Sequence, residues 1–83
     1  MNLFVRNLAW RVTDEELRAY FEPYGNVTSA RVVLDRDTGR SRGFGFVEMP
    51  DAGEAERAIR SLNGATLDGR VIAVDEARER PPR

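Results

Sequence analysis

The feature that most constrains this chain is the order in which its apolar residues change period: two, three to four, two, two, three to four, and two again. Period two places alternate side chains on opposite faces of a strand, and the longer period lines one face of a helix. The order is therefore strand, helix, strand, strand, helix, strand.

The first strand, Asn2 to Arg6, sends Leu3 and Val5 to one face and Asn2, Phe4 and Arg6 to the other. Thr13 followed by Asp14, Glu15 and Glu16 has the form of a capping box. Leu17, Tyr20, Phe21 and Tyr24 then recur at helical spacing until Pro23 and Gly25 end the segment. Val27 to Leu34 is rich in β-branched residues and stops at the turn-forming run Asp35-Arg36-Asp37-Thr38-Gly39. The third strand, Gly43 to Met49, stops before Pro50. Asp51 with Glu54 offers a second capping box, and Ala55, Ala58, Ile59 and Leu62 form the apolar stripe of the second helix. Asn63-Gly64 stops that helix, Asp68-Gly69 makes a tight turn, and Val71 to Val74 reads as the last strand.

This is an α+β chain with the βαββαβ order of a ferredoxin-like sandwich: a four-stranded antiparallel sheet with both helices on one face and the other face open. Leu3, Val5, Ala30, Val32, Val47, Met49, Ile72 and Val74 should point at the helices, with Leu8, Leu17, Phe21, Ala55, Ile59 and Leu62 completing the core. At 83 residues there is room for one domain. Residues 1–77 are expected to form it, and 78–83 a short flexible Arg/Pro-rich tail.

The inventory excludes most chemistry. The chain has neither cysteine nor histidine, so disulfides, thiolate metal sites and the commonest general base are missing. No enzyme activity, cofactor, metal or small-molecule substrate is expected. The stretch Thr38-Gly39-Arg40-Ser41-Arg42-Gly43 has glycines and hydroxyls but lacks the spacing and following helix of a phosphate-binding loop. The opening MNLFVRNL has no signal-peptide pattern, and no apolar run approaches the roughly 18 residues of a membrane span. The expectation is a cytoplasmic monomer with no membrane partner.

What remains is the open face. Alternation along Arg42 to Met49 puts Gly43, Gly45, Val47 and Met49 towards the core and Arg42, Phe44, Phe46 and Glu48 away from it. With Phe4, three aromatics lie on a face that no helix covers. Such a patch marks an interaction site, and flat rings suit nucleobases. The plainer alternative is that Phe44 and Phe46 pack against each other or under a terminal segment.

The run RGFGFVEM, Arg42 to Met49, resembles the RNP1 pattern of the RNA recognition motif family at every position but the last, where Met49 replaces an aromatic. LFVRNL, Leu3 to Leu8, is similar to the family's RNP2 hexamer. The resemblance implies that Phe4 and Phe44 each stack under a base, that Phe46 lies between sugar rings and that Arg42 pairs with a phosphate. Met49 belongs to the core side by alternation, so its departure should alter packing and not base contact.

Alternation adds Arg31 and Val33 on strand two and Ala73 and Asp75 on strand four, with Asn2 and Arg6 flanking Phe4. In the family, residues beyond strand four often close over the bases, which brings in Glu76, Ala77 and Arg78. Asp75 would repel phosphate, yet it could accept a hydrogen bond from an exocyclic amine of cytosine, adenine or guanine. Arg36 and Arg40 ride on a hairpin arm. Trp10 could be a further stacking surface, but as the only tryptophan it is expected to cover the edge of the core.

The formal net charge of −1 argues at first against a nucleic-acid partner. Its distribution does not. The two helical segments, Thr13 to Tyr24 and Asp51 to Leu62, hold seven acids and three arginines, a net −4, which leaves +3 for the rest. All 13 basic residues are arginine, whose planar fork suits phosphate and base stacking. The expected function is binding of single-stranded RNA, and single-stranded DNA more weakly, by a small RNA chaperone or post-transcriptional regulator. A protein-binding module on the same fold is the alternative.

Overall fold

The computed structural model describes residues 1–77. Its elements follow the expected order: β1 (Asn2–Arg6), α1 (Asp14–Phe21), a short 3-10 turn (Glu22–Tyr24), β2 (Ser29–Leu34), β3 (Ser41–Glu48), α2 (Ala52–Leu62), β4 (Thr66–Leu67), β5 (Arg70–Val71) and β6 (Ala73–Glu76). The main sheet has the order β2-β3-β1-β6 with every neighbouring pair antiparallel. Both helices cover one face. This is the ferredoxin-like α+β sandwich, and it puts β1 and β3, the strands carrying Phe4, Phe44 and Phe46, side by side in the middle.

The core is the expected one with additions. Leu3, Val5, Leu17, Phe21, Val47, Met49, Ala55, Ile72 and Val74 are almost wholly buried, and Ala9, Val12, Val27 and Ala58 join them. Ala30 and Ile59 are only partly buried against that cluster. Met49 lies in the core as alternation requires, tied in by the Met1 ammonium donating to its carbonyl at 2.8 Å.

The last strand departs from expectation. Instead of one run from Val71 to Val74, Thr66–Leu67 and Arg70–Val71 pair as a separate small hairpin, and β6 starts only at Ala73. Asp68 and Gly69 form its tip, both at positive φ (53° and 85°), as a two-residue hairpin turn of this hand demands. Ile72 makes the join: its N–H donates to the Ala65 carbonyl at 2.9 Å, continuing the register of the small hairpin, and its carbonyl accepts from the Gly64 N–H at 2.8 Å.

The helix starts differ from one another. At Thr13 the capping box is complete, with the Thr13 hydroxyl accepting from Glu16 N–H and the Glu16 carboxylate accepting from Thr13 N–H, both at 3.1 Å. At Asp51 only half of it forms. The Asp51 carboxylate accepts from Glu54 N–H at 2.9 Å, but Glu54 turns away to accept from Asn26 N–H at 3.1 Å. Its carboxylate thereby ties α2 to the loop after α1.

Candidate nucleic-acid interface

Register, more than alternation alone, builds the open face. Across the sheet Arg31 lies opposite Phe46, Phe46 opposite Phe4, and Phe4 opposite Asp75, so one row crosses all four strands. The next row holds Phe44 opposite Arg6 and Arg6 opposite Ala73. The row on the other side holds Ser29 opposite Glu48 and Glu48 opposite Asn2. The expected site residues Asn2, Phe4, Arg6, Arg31, Phe44, Phe46, Ala73 and Asp75 thus converge. Val33 is half-buried on the same side, beside a shallow depression of about 300 Å³ lined by Asn2, Ser29, Arg31, Val33, Phe46 and Glu48. Ser29 was not among the expected contacts. The strand-two alternation of Val33 and Arg31, carried back one step further, would have found it.

The three rings form a cluster. Phe4 and Phe46 are offset-stacked at 5.2 Å with 24° between planes, Phe4 meets Phe44 edge-on at 5.6 Å, and Phe44 and Phe46 stand perpendicular at 6.3 Å. They are therefore half-buried rather than fully exposed. The plainer expectation of mutual packing and the expectation of an open aromatic face both hold, because the rings shield one another's edges while no helix covers them. A cluster packed in this way holds its rings in place before any ligand arrives, which lowers the ordering cost of stacking on them.

Between the two phenylalanines of β3, glycine has a specific task. A Cβ on Gly45 would lie 2.5 Å from the Arg31 carbonyl oxygen and 3.1 Å from Leu17 Cδ2. Only glycine lets β2 and α1 close over β3 at that point. Gly43 has another role. Its φ of 86° sits inside a register step where pairing moves from Val32 opposite Gly45 to Leu34 opposite Ser41, two residues on β2 against four on β3. That is an irregularity of the bulge kind, with two extra residues on β3 and a glycine at positive φ among them. Alternation thus holds from Phe44 to Met49 and stops at Gly43, so it does not by itself aim Arg42. Arg42 is exposed at the start of β3, and its guanidinium acts on the carboxylate of Asp35 across the hairpin mouth.

That hairpin is closed by Asp35. Its carboxylate accepts from Asp37 N–H at 2.8 Å and Thr38 N–H at 3.1 Å, while its backbone N–H donates to the Arg40 carbonyl at 2.7 Å. The two backbone donors, Asp37 first, hold the Asp35 carboxyl below its ordinary range, with the Arg42 charge a lesser cause. Arg36 and Arg40 stand exposed on the arm.

Asp75 is not a bare charge on the face. Arg6 donates to its carboxylate at 3.0 Å, both side chains being more than half exposed, and the Arg6 guanidinium lies 5.8 Å from the Phe4 ring centre. The pair is a cross-strand diagonal that no one-strand pattern reveals. Trp10 contradicts its expected role: it is 74% exposed and does not cover the core edge, which Leu8, Ala9 and Val12 fill instead. Arg78 lies outside the described residues. Among the described residues no cluster of acids could hold a metal ion, and no helix is long and apolar enough to cross a membrane.

The family model for the RNA recognition motif matches residues 3–73. A 29 kDa chloroplastic ribonucleoprotein of Arabidopsis thaliana is 56% identical over 98% of this chain, and a 28 kDa chloroplastic ribonucleoprotein of Nicotiana sylvestris is 52% identical over the same share. The chain spans only 24% and 29% of those two proteins. Their names place them in chloroplasts, so the cytoplasmic expectation finds no support among them. Among solved structures, RNA Binding Protein PG1 superposes with a TM-score of 0.93 at 55% identity, covering 99% of each chain. An Sxl-lethal protein/RNA complex superposes at 0.90 and 36% identity, covering 96% of this chain and 48% of that one. Fold, signature strands and relatives agree, and the chain belongs to the RNA recognition motif family.

Proposed function

We propose that this chain binds single-stranded RNA on the open sheet face, with Phe4 and Phe44 each stacking under a base, Phe46 against sugar rings and Arg42 on a phosphate. The observation that carries this is the three-ring cluster at 5.2 to 6.3 Å on the uncovered side of the two central strands. The names of the relatives, ribonucleoproteins and an RNA complex among them, support the same reading. Stacking tolerates any base, so binding should be weakly sequence-dependent, with single-stranded DNA bound less tightly where 2′-hydroxyls contribute. The chain acts as a monomer in this reading, as an RNA chaperone or post-transcriptional regulator.

Fluorescence anisotropy with a short random RNA pool tests it. Phe44→Ala and Phe46→Ala should each weaken binding by about 5- to 150-fold, the equivalent of about 1 to 3 kcal/mol per stacked base. If both bind like the parent while remaining folded, the sheet-face reading is wrong. Amide shifts confined to α1 and α2 on adding RNA would move the interface to the helical side.

A further inference from the structure

Asn63-Gly64 is the one Asn-Gly pair of the chain; the other three asparagines precede leucine or valine. Both residues have structural work where α2 gives way to the small hairpin. Asn63 is the helix C-cap, its N–H donating to the Ile59 carbonyl at 2.9 Å, and Gly64 follows at a φ of 88° that favours glycine. The same pair is chemically labile, because glycine has no side chain to shield its nitrogen from the asparagine amide before it.

In that reaction the Gly64 nitrogen gives up its proton to water and attacks the side-chain carbonyl carbon of Asn63. The bond from that carbon to the amide nitrogen breaks, and ammonia leaves. Water then opens the cyclic imide at either carbonyl, leaving aspartate or isoaspartate. The fold opposes the first step. The Gly64 N–H donates to the Ile72 carbonyl at 2.8 Å, and the Asn63 side-chain oxygen accepts from the Val74 N–H at 3.0 Å, which turns the amide towards β6. A ψ of 119° at Asn63 holds the Gly64 nitrogen away from the Cβ side, where ring closure needs it. Asn63 itself is exposed, so water has access. Ile72 and Val74 are 1% and 0% exposed, and releasing them requires this end of the chain to leave the core.

We propose that Asn63-Gly64 is a deamidation site held shut by its hydrogen bonds to Ile72 and Val74, and that it reacts only in molecules whose junction between α2 and β6 has opened. The two products differ in consequence. Aspartate keeps an oxygen for the Val74 N–H. Isoaspartate adds a methylene to the backbone and removes one from the side chain, so the acceptor and the Gly64 N–H no longer reach Val74 and Ile72 together. Because β6 brings Ala73 and Asp75 to the open sheet face, the damage reaches the margin of that face.

Peptide mapping by mass spectrometry tests this on the whole chain, held at one pH and temperature with and without denaturing urea. Exchange of the amide for a carboxyl changes the mass of the peptide holding Asn63, whereas isomerisation at Asp68-Gly69 leaves mass unchanged. The mass change should be slower in the folded chain by about 100-fold or more, as for a reaction gated by an opening close to the global one. Hydrogen exchange of the Gly64 and Val74 amides should accelerate in step with it as urea is raised below the unfolding transition. The isoaspartyl chain, separated after reaction in urea, should unfold at lower urea than Asn63→Asp. A folded rate within about tenfold of the unfolded one overturns the proposal, as does a mass change while those two amides stay protected. Persistence of the change in Asn63→Gln, whose longer side chain closes a ring far less readily, overturns the site itself. Equal unfolding midpoints for the isoaspartyl chain and Asn63→Asp overturn the stated consequence.

Discussion

Replacing Gly45 by alanine tests whether the glycine between the two phenylalanines is a packing requirement. The new Cβ would lie 2.5 Å from the Arg31 carbonyl oxygen, 3.1 Å from Leu17 Cδ2 and 3.2 Å from Val32 Cα. Ordinary contacts at carbon are about 3.5 to 4.0 Å, so β2 must retreat from β3 by roughly 1 Å. Neither the Arg31 nor the Val32 atom is the end of a flexible side chain; both are backbone. A retreat of that size lengthens ladder hydrogen bonds of about 2.9 Å beyond useful range around the pairs Arg31–Phe46 and Val32–Gly45. Overpacking of this kind costs about 1 to 3 kcal/mol, and a strained or lost hydrogen bond adds about 1. The stiffer unfolded chain returns about 0.4 to 1 kcal/mol. The net loss is about 2 kcal/mol against a total stability of roughly 4 to 12 kcal/mol expected at this length. Urea unfolding followed by circular dichroism reads it directly: with a slope near 1 kcal/mol per molar, the midpoint should fall by about 2 M. A midpoint within about 0.5 M of the parent would refute the close approach as the reason for glycine here.

Asp75→Asn removes a carboxylate from the open sheet face and frees Arg6 from its 3.0 Å pair. Folding stability should change by less than about 1 kcal/mol because the pair is exposed. RNA affinity at low salt should rise about two- to fivefold, with a steeper salt dependence as Arg6 turns to phosphate. A drop in affinity confined to pools rich in cytosine, adenine or guanine would instead make Asp75 an acceptor for base amines. The Asp35 carboxyl should titrate below the ordinary aspartate range, since Asp37 and Thr38 donate to its charged form. The folded value being depressed, its contribution to hairpin closure is present above that range and is lost as pH falls through the folded value. Side-chain carboxyl NMR through an acid titration checks this, and a midpoint at or above the free-aspartate value counts against the hydrogen bonds to Asp37 and Thr38.

The element order and nearly all of the core were legible in the sequence because both depend on one-dimensional periods, and those of Leu3 to Val5, Leu17 to Phe21 and Ala55 to Leu62 are clear. The convergence of Phe4, Phe44 and Phe46 was legible once strands one and three were taken as neighbours. What escaped depends on register or on a single backbone angle. An isolated glycine in a strand signals a bulge, and at Gly43 that signal was read only as alternation. Leu67-Asp68-Gly69-Arg70 carries a two-residue hairpin signature, but the flanking strands are too short for a period to appear. The Arg6–Asp75 diagonal and the pull of Asn26 on Glu54 join residues 69 and 28 positions apart, beyond any local pattern. Trp10 was misassigned because burial preference describes an average tryptophan, whereas Leu8, Ala9 and Val12 had already filled its place.

The same geometry decides which force carries binding. Arg6 pairs with Asp75 and Glu48 adds a negative charge at the other margin, while Arg31 on the face and Arg42 beside it, near Asp35, have no salt-bridge partner among the described residues. Two phosphate contacts on a single strand correspond to a salt slope of only about −1.4, a small share of what dedicated phosphate binders display. The acidic helices lie behind the sheet. At physiological salt, where screening acts over about 8 Å, their charge orients an approaching strand without strengthening its contacts. On the proposed reading, affinity then grows mainly with the number of stacked bases. A surface that gains little from charge gains most from each further ring it presents, and the three phenylalanines already crowd the centre of the sheet.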